Sequence, residues 1–390
     1  MAIHRRLVFL LTPPALLLAA HFYVALRLGA AQPQAPSIVW GCLALMYAGI
    51  TAGFLIRHDR STTVNDVVSW IAFCLLGLFS WLFVLTLIRD VVLLLLWGLG
   101  PWLGPLLPKA WSGSGTLWAT NSALGVIGLS VVATFIGFFN ARRTPAVKTV
   151  TVTIADLPPA LHGFSLAQIT DLHIGPTIKK DFVRRVVQRT NNLQADVIVL
   201  TGDLIDGDVA GLRPHTQPLA KLAAPFGVFA VTGNHEYYSG ARQWVEEYKR
   251  LGMQVLENEH VVLTVNSVPM VLAGVTDYDA ERFDGARRSD PKAALRGSPA
   301  EAALKILLAH QPRSMWAAAK AGFDVQLSGH THGGQFWPWG HFVRLQQPFV
   351  AGLHRYQQLQ VYISRGTGYW GPPLRFGARA EISLIRLQAQ

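Results

Sequence analysis

The chain has 390 residues, of which 51% are hydrophobic and 15% are charged, whereas soluble domains carry about 25% charged residues. This composition excludes an ordinary soluble globule, and it also excludes a disordered, collagen-like or disulfide-rich chain. Charge is unevenly distributed, because residues 1–143 contain only three acidic residues, Asp59, Asp66 and Asp90. We predict a polytopic membrane domain over residues 1–143 and a soluble domain over residues 144–390.

The formal net charge of +11 raises the question of nucleic-acid binding. A nucleic-acid partner requires a clustered basic stripe and a recognisable module, but the basic residues here flank apolar segments or are scattered. We therefore expect no nucleic-acid partner. Both cysteines, Cys42 and Cys74, lie in apolar stretches, so the soluble part has no thiol for a disulfide or a zinc–cysteine site.

Four apolar stretches are long enough to cross the roughly 30 Å hydrocarbon core of a membrane, which takes about 20 helical residues. They cover residues 7–28, 38–56, 67–88 and 117–139. The first stretch has an alternative interpretation as a cleaved signal peptide, because basic residues precede it and small residues come after it. Its apolar run is long for a signal peptide, so we expect a retained anchor.

Lysine and arginine predict the orientation of these spans, because cytoplasmic loops are enriched in them. Basic residues precede the first span and come after the second and fourth, whereas the loop 30–37 carries no charge. They are Arg5, Arg6, Arg57, Arg60, Arg142, Arg143 and Lys148. We therefore predict an integral protein of the inner or plasma membrane with a cytoplasmic soluble domain.

A further apolar stretch, residues 91–108, leaves open whether the chain crosses the membrane four or five times. A fifth crossing would move the soluble domain to the other side of the membrane. Glycine and proline residues, among them Gly98, Gly100 and Pro101, are expected to break a helix there. We interpret the stretch as the end of the third span and a subsequent interfacial segment. Its predicted anchors are Trp97, Trp102 and Trp111.

In the soluble part, short β-branched runs alternate with amphipathic segments, an order typical of an α/β domain with helices outside packed sheets. The predicted strands are 150–154, 165–170, 197–201, 228–232, 261–265, 270–274, 305–309, 325–328, 361–364 and 381–387. The predicted helices are 179–193, 241–251 and 312–321.

Polar residues cluster directly after the carboxyl ends of these strands, where open α/β sheets bind their ligands. Five strings form the pattern: Asp171-Leu172-His173, Gly202-Asp203-Leu204-Ile205-Asp206, Gly233-Asn234-His235-Glu236, Ala309-His310-Gln311-Pro312 and Gly329-His330-Thr331-His332. Oxygen and imidazole ligands without sulfur suit Mn²⁺, Fe²⁺ or Zn²⁺, and so many histidines disfavour Mg²⁺. Each string alone is common in loops, but all five together, in order and at strand ends, predict a metal site.

The ordered set of strings resembles the calcineurin-like metallophosphoesterase superfamily, from residue 165 to about residue 335. The C-terminal strings resemble its membrane-associated branch, which includes phosphodiesterases and UDP-2,3-diacylglucosamine pyrophosphatases of lipid A synthesis. These strings are Ser364-Arg365-Gly366-Thr367-Gly368 and Gly371-Pro372-Pro373-Leu374-Arg375-Phe376-Gly377. The resemblance implies an αββα sandwich and a hydrolase with two divalent metal ions, Mn being expected and Fe or Zn being the alternatives.

The resemblance also implies a role for each matching residue. One metal ion would be held by Asp171, His173 and His332, the other by Asn234, His310 and His330, with Asp203 bridging them. Two such cations would activate a water and neutralise charge on a phosphorus attacked in line. His235 would act as general acid or transition-state stabiliser, oriented by Asp206, while Glu236 would support the site or the fold.

Two further features have alternative interpretations. Arg365 and Arg375 either bind phosphate or brace the backbone. The run Phe336-Trp337-Pro338-Trp339, just beyond the last histidine string, either packs in the core or dips into the bilayer interface.

The sequence therefore predicts a membrane-anchored two-metal phosphoesterase that cleaves a phosphodiester or pyrophosphate bond. The expected partners are the lipid bilayer and a phosphorylated, lipid-linked substrate, with UDP-2,3-diacylglucosamine as the leading candidate. The alternatives are a broader phosphodiesterase acting on phospholipid head groups or nucleotides and, less favoured, a receptor for a phosphorylated ligand. The sequence leaves the oligomeric state open.

Overall fold

The computed structural model describes residues 2–32, 34–55, 63–103 and 115–390. The chain forms two compact units, Met1–Arg57 with Val67–Phe138 and His58–Asp66 with Phe139–Gln390. Several residues on which the predicted membrane topology depends lie outside the described residues. These are Ile56, Arg57, Arg60, Trp111 and the end of the apolar stretch, 104–108.

Four apolar helices make up the first unit within the described part of the chain, and each is long and apolar enough to cross a membrane. They are α1 (Ala2–Ala30), α2 (Pro36–Leu55), α3 (Thr63–Leu103) and α4 (Gly115–Arg142). The prediction of four apolar helices is thereby confirmed.

Helix α3 contradicts the predicted break after the third span. It continues as one α-helix of 41 residues to Leu103, through Gly98, Gly100 and Pro101. A glycine costs only about 1 kcal/mol in a helix. Pro101 removes one backbone hydrogen bond, and the helix nevertheless continues past it to Leu103. Residues 91–103 therefore extend the third helix instead of forming a separate irregular segment.

Among the described residues of the first unit, the charged side chains of Arg27, Arg89 and Asp90 have polar partners. Arg27 Nε donates to Asp90 Oδ2 across 2.6 Å, and the Tyr23 hydroxyl donates to the same oxygen across 2.6 Å. Arg89 Nε donates to the Ser122 hydroxyl across 2.8 Å. Such pairing is expected because ionisable side chains in membrane helices need polar partners.

The second unit is an α/β domain. Its strands in the described residues are β1 (Ala146–Ile154), β2 (Ser165–Ile169), β3 (Val197–Thr201), β4 (Val228–Val231), β5 (Gln254–Val255), β6 (Glu259–Val265), β7 (Val268–Gly274), β8 (Lys305–Leu308), β9 (Val325–Ser328), β10 (Gly352–Tyr356), β11 (Leu359–Ile363) and β12 (Glu381–Ala389). Its helices are α5 (Lys180–Asn191), α6 (Val209–Thr216), α7 (Asn234–Tyr238), α8 (Ala241–Arg250), α9 (Pro291–Ala294), α10 (Met315–Ala321) and α11 (Gly340–Val343).

Two six-stranded sheets form the centre of this domain, in the orders β1-β12-β2-β3-β4-β5 and β10-β11-β9-β8-β7-β6. Both are mixed. In the first, β2 to β5 are parallel and β12 is antiparallel to β2. In the second, β7, β8, β9 and β11 are parallel, and β6 and β10 are antiparallel edge strands.

Strand side chains alternate between two apolar layers, because successive residues of a strand point to opposite faces. Leu166 and Val199 belong to the core between the two sheets, whereas Ala167 and Leu200 pack with residues of α5 and α8 on the outer face. Residues of α9 and α10 cover the outer face of the second sheet. This helix–sheet–sheet–helix order confirms the predicted αββα sandwich.

All ten predicted strands are present, and β5 and β10 were missed. Strand β5 has 2 residues, too few for a periodic pattern, and β10 is a half-exposed edge strand. The five polar strings lie directly after β2, β3, β4, β8 and β9. Parallel strands place their carboxyl ends at one edge of a sheet, so the fold brings the strings together there.

Candidate metal centre

Five of the predicted ligands lie in loops with an unusual backbone conformation. Asp171, His173, Asp203, His330 and His332 have φ values of 52°, 51°, 52°, 72° and 51°. This left-handed region costs a residue other than glycine about 1–2 kcal/mol. Strain of this kind is concentrated at functional sites, where the surrounding structure enforces it.

Asp171, His173 and His332 form the first group of ligand atoms. His173 Nε2 and His332 Nε2 are 3.1 Å apart, and His332 Nε2 lies 3.5 Å from Asp171 Oδ1. The Asp171 carboxylate is held by the His330 backbone N–H at 2.9 Å and by the Thr170 hydroxyl at 2.9 Å. These separations suit ligands that share one ion at about 2.1 Å from each atom.

Asp203, His310 and His330 form the second group. His310 Nδ1 lies 2.8 Å from the Thr201 carbonyl oxygen, which can only accept, so Nδ1 carries the proton and Nε2 is available as a ligand. His310 Nε2 is 3.1 Å from Asp203 Oδ2 and 3.2 Å from His330 Nδ1. Acceptor atoms at such distances require a positive charge among them.

Asp203 lies between the two groups. Its Oδ2 is 3.1 Å from His310 Nε2 in the second group and 4.0 Å from His173 Nε2 in the first. Its Oδ1 accepts the backbone N–H of His235 across 2.8 Å, which fixes the orientation of the carboxylate. A single oxygen of Asp203 thus lies within 4.0 Å of ligand atoms of both groups.

Asn234 supplies the test of whether a cation fits. Its side chain is buried, and within the described part of the chain Oδ1 has no hydrogen-bond partner. A buried polar atom without a partner costs about 1–3 kcal/mol, a cost that coordination of a cation removes. Together with the donor set of carboxylates and imidazoles, this orphaned oxygen fits two divalent cations.

Glycines permit the close approach of the loops. A Cβ on Gly233 would lie 2.3 Å from Asp203 Oδ1, and one on Gly329 would lie 2.2 Å from Asp171 Oδ2. Gly202, with φ +88°, combines a crowded environment with a left-handed backbone. Any side chain at these positions would displace a predicted ligand or the strand end beside it.

His235 lies outside these two groups and contacts Asp206, and with Asp206 and His173 it forms a third group of possible ligand atoms. Its Nδ1 is 2.6 Å from Asp206 Oδ1, and His173 Nδ1 is 3.0 Å from the same oxygen. Burial lowers the pKa of His235, but the carboxylates of Asp203 and Asp206 outweigh that effect and raise the pKa to about 9. Burial alone raises the pKa of Asp206, and the two imidazoles outweigh it and hold that pKa well below its usual value.

Opposing electrostatic effects shift the pKa values of the two histidines in the second group. Burial lowers the pKa of His310, but Asp203 above all outweighs it and raises the pKa well above its usual value. Burial, and after it the charge of His310, lowers the pKa of His330 to about 3. A positive charge on His310, beside Asp203, is therefore favoured, whereas protonation of His330 is not. Ligands that surround a cation are expected to behave in this way.

Glu236 supports the loop that carries Asp203. Its fully buried carboxylate accepts the backbone N–H groups of Asp203, Leu204 and Gly233 at 3.0, 2.8 and 2.6 Å and the Tyr248 hydroxyl at 2.8 Å. Burial and then the charge of Asp203 raise the pKa of Glu236. The three backbone N–H groups can only donate, so these hydrogen bonds favour the ionised form.

The structure resolves the alternatives for Arg375 and for the tryptophans. The guanidinium of Arg375 is buried and donates to the carbonyl oxygens of His332 at 2.8 Å and Arg365 at 2.7 Å, so it braces the backbone. The Arg365 side chain is partly exposed and 3.8 Å from Glu381, which leaves its phosphate role open. Trp337 and Trp339 are exposed, which contradicts the core interpretation for the two tryptophans, whereas Phe336 is buried.

Three residues beside the site were not predicted. Trp370 and Tyr238 lie with their rings 5.8 and 5.0 Å from that of His235. Gln335 anchors the loop of Trp370 through its side-chain amide. Gln335 directly follows the glycine pair that comes after the histidine string, and this position was a weak signal for a role beside the site. No sequence pattern marks Trp370 or Tyr238.

Comparison with known proteins agrees with this geometry. The family model described as calcineurin-like phosphoesterase matches residues 164–334. A protein of Danio rerio called "Transmembrane protein with metallophosphoesterase domain" is 32% identical over 98% of this chain and 90% of its own length. The chain belongs to the calcineurin-like metallophosphoesterase family. A Bos taurus protein of the same name is 34% identical over 91% of this chain and 83% of its length.

A bacterial protein is also similar to this chain. The "Uncharacterized metallophosphoesterase" of Helicobacter pylori is 36% identical over 64% of this chain and 66% of its own length. This metallophosphoesterase is therefore a metal-dependent phosphoester hydrolase, and its four apolar helices and transmembrane relatives make it membrane-associated.

Proposed function

We propose that this metallophosphoesterase cleaves a phosphodiester or pyrophosphate bond in a lipid-linked substrate, with UDP-2,3-diacylglucosamine as the leading candidate. The observation that carries the proposal is that two groups of ligand atoms, joined by Asp203, occur in one chain with four helices of membrane-spanning length. Tethering a hydrolytic site to a membrane favours a substrate that resides there.

We propose a role for each residue of the centre. One divalent ion is bound by Asp171, His173 and His332, the other by Asn234, His310 and His330, and Asp203 contacts both. Such ions, when bound, activate water and neutralise charge on the phosphoryl group. Mn²⁺ is the expected metal, with Fe²⁺ or Zn²⁺ as alternatives.

His235 is proposed to give a proton to the departing oxygen. The Asp206 carboxylate favours the protonated form of the His235 imidazole, which is the form an acid needs. The His235 side chain is slightly exposed whereas that of His310 is fully buried, so a substrate can reach it. Asp206 holds the ring through Nδ1 at 2.6 Å, which leaves Nε2 to donate.

An exposed apolar segment supports the lipid part of the proposal. Trp337, Trp339, Phe342 and Leu345 lie within nine residues of each other, and all four side chains are exposed. Aromatic and aliphatic side chains grouped in this way are typical of segments that rest in the membrane interface. Such a segment would bring a lipid-linked phosphate toward the histidine string that precedes it.

The test is Mn²⁺-dependent hydrolysis of UDP-2,3-diacylglucosamine by the full-length protein in mixed micelles, with products identified by mass. Release of UMP and the lipid phosphate by wild type, and not by His235→Ala, supports the proposal. Turnover of bis-p-nitrophenyl phosphate without turnover of the lipid would instead favour a broader phosphodiesterase. Tight binding without turnover of either compound would favour a receptor.

We also propose that the phosphoesterase domain is cytoplasmic, on the distribution of basic residues in the sequence. In a background of Cys42→Ala and Cys74→Ala, an exposed Lys320→Cys is expected to resist a membrane-impermeant maleimide in intact cells. Gln34→Cys, exposed between α1 and α2, is expected to react. The reverse pattern would place the domain on the outer side.

A further inference from the structure

Three exposed aromatic side chains form what we call the aromatic rim: Tyr238, Phe283 and Trp370. Their exposed fractions are 59%, 52% and 56%. The rings of Tyr238 and Trp370 lie 5.0 and 5.8 Å from that of His235, and the ring of Phe283 lies 5.3 Å from that of Tyr238. A continuous aromatic surface therefore borders the residue proposed to protonate the departing oxygen.

Trp370 is exposed although its backbone is firmly held. The side-chain oxygen of Gln335 accepts the Trp370 N–H across 2.8 Å, and Gln335 Nε2 donates to the carbonyl oxygens of Trp370 at 2.9 Å and Pro372 at 3.0 Å. Gln335 itself is buried. An apolar ring fixed at the mouth of a site is preorganised for binding, since little backbone entropy is lost on contact.

The rings of the rim are inclined to their neighbours. Tyr238 is inclined by 60° and Trp370 by 76° to His235. Phe283 is inclined by 62° to Tyr238. Inclined rings make a curved apolar wall, along which the methylene groups of a hydrocarbon chain can pack.

We infer that the aromatic rim binds a hydrocarbon chain carried by the leaving group of the substrate. The inference rests on the proposed function, because it takes the side of His235 as the side on which the leaving group departs. It specifies which half of the substrate is apolar: the half released with the proton from His235. Each buried methylene contributes about 0.8 kcal/mol, so two methylenes on the rim give a preference of about tenfold.

The test uses esters of uridine 5′-monophosphate with methanol, hexanol and benzyl alcohol, and measures UMP release by the full-length Mn²⁺-loaded protein. UMP appears only when the alcohol is the leaving group, so the product identifies the half that departs. Wild type is expected to show a kcat/KM about tenfold higher for the hexyl than for the methyl ester. Trp370→Ala is expected to reduce that ratio at least fivefold, mainly through KM.

Trp316→Ala is the matched control, because Trp316 on α10 is 48% exposed and should leave both rates unchanged. An unchanged hexyl-to-methyl ratio in Trp370→Ala would overturn the inference, as would a preference for the benzyl ester that exceeds the hexyl preference. If the wild-type protein releases no UMP from any of the esters, the proposed hydrolysis of such phosphodiesters is refuted. The unreacted esters are then titrated calorimetrically: tighter hexyl binding lost in Trp370→Ala supports the rim, and equal affinities overturn it.

Discussion

Glu236→Gln tests whether the buried carboxylate holds the loop of Asp203. Glu236 Oε2 accepts from the N–H groups of Asp203 and Gly233, and Oε1 accepts from the Leu204 N–H and the Tyr248 hydroxyl. A glutamine amide preserves the volume but replaces one acceptor by a donor. We expect the amide nitrogen of the glutamine to take the position of Oε1. The Tyr248 hydroxyl beside that position can rotate and accept a hydrogen bond from the amide.

The size of the destabilisation depends on which hydrogen bonds remain in the variant. The Leu204 N–H stays buried without an acceptor, which costs about 1–3 kcal/mol, and the surviving bonds lose the strength that a charged acceptor gives them. We expect a total loss of about 2–5 kcal/mol in the free energy of unfolding. For a domain of this size that corresponds to a fall in Tm of roughly 4–20 °C.

The assay is thermal unfolding of the full-length protein in detergent with a metal chelator, so that lost metal binding does not contribute. Glu246→Gln is the matched control on α8, because its carboxylate is exposed and pairs with the exposed Lys249 at 2.9 Å. Exposed pairs contribute little, so its Tm should equal that of wild type. Equal Tm values for Glu236→Gln and the control would refute the proposed role of Glu236.

Three further predictions concern the ligands and the acid. Asp203→Asn is expected to empty or weaken both metal positions in elemental analysis, because one of its oxygens faces both groups, and two fully occupied positions would contradict this. His235→Ala should reduce turnover by about 10² to 10⁴ while metal content stays intact; unchanged turnover would remove His235 from the mechanism. Gly233→Ala should lower metal content and activity, since its Cβ would lie 2.3 Å from Asp203 Oδ1, whereas Gly285→Ala, with no atom within 4 Å of its Cβ, should retain both.

The strands and the positions of the polar strings were predictable because both obey local rules. Each buried parallel strand is an apolar run, and β3 and β9 match their predicted bounds, 197–201 and 325–328. The chemistry-bearing residues begin where those runs end. The packing of the sheets then brings the strand ends to one place, as open α/β sheets generally do.

The backbone geometry of the ligands was not predictable from the same rules. Asp171 and His332 adopt left-handed φ values, which residues other than glycine adopt uncommonly, and the surrounding contacts enforce them. The backbone N–H of His330, for example, donates to Asp171 across 2.9 Å, a contact between residues 159 positions apart. Local propensity holds no information about such contacts.

The failed prediction for α3 has the opposite cause. There, local propensity was weighted too strongly: Gly98, Gly100 and Pro101 disfavour a helix individually, yet the helix continues to Leu103. In an apolar surrounding an unpaired peptide group costs far more than a glycine does in water. A continuous helix satisfies those groups, so helix breakers act more weakly in such a segment than their propensities indicate.

Substrate choice depends on contacts that are more distant in sequence than those that set the chemistry. The predicted ligands are found in the few residues after each strand, but the aromatic rim combines α7, the loop before β8 and the loop after β11. Trp370 reaches its position because Gln335, 35 residues earlier, fixes its backbone. Reaction type was therefore predictable from short strings, whereas the apolar surface beside His235 could be recognised only after the chain had been folded.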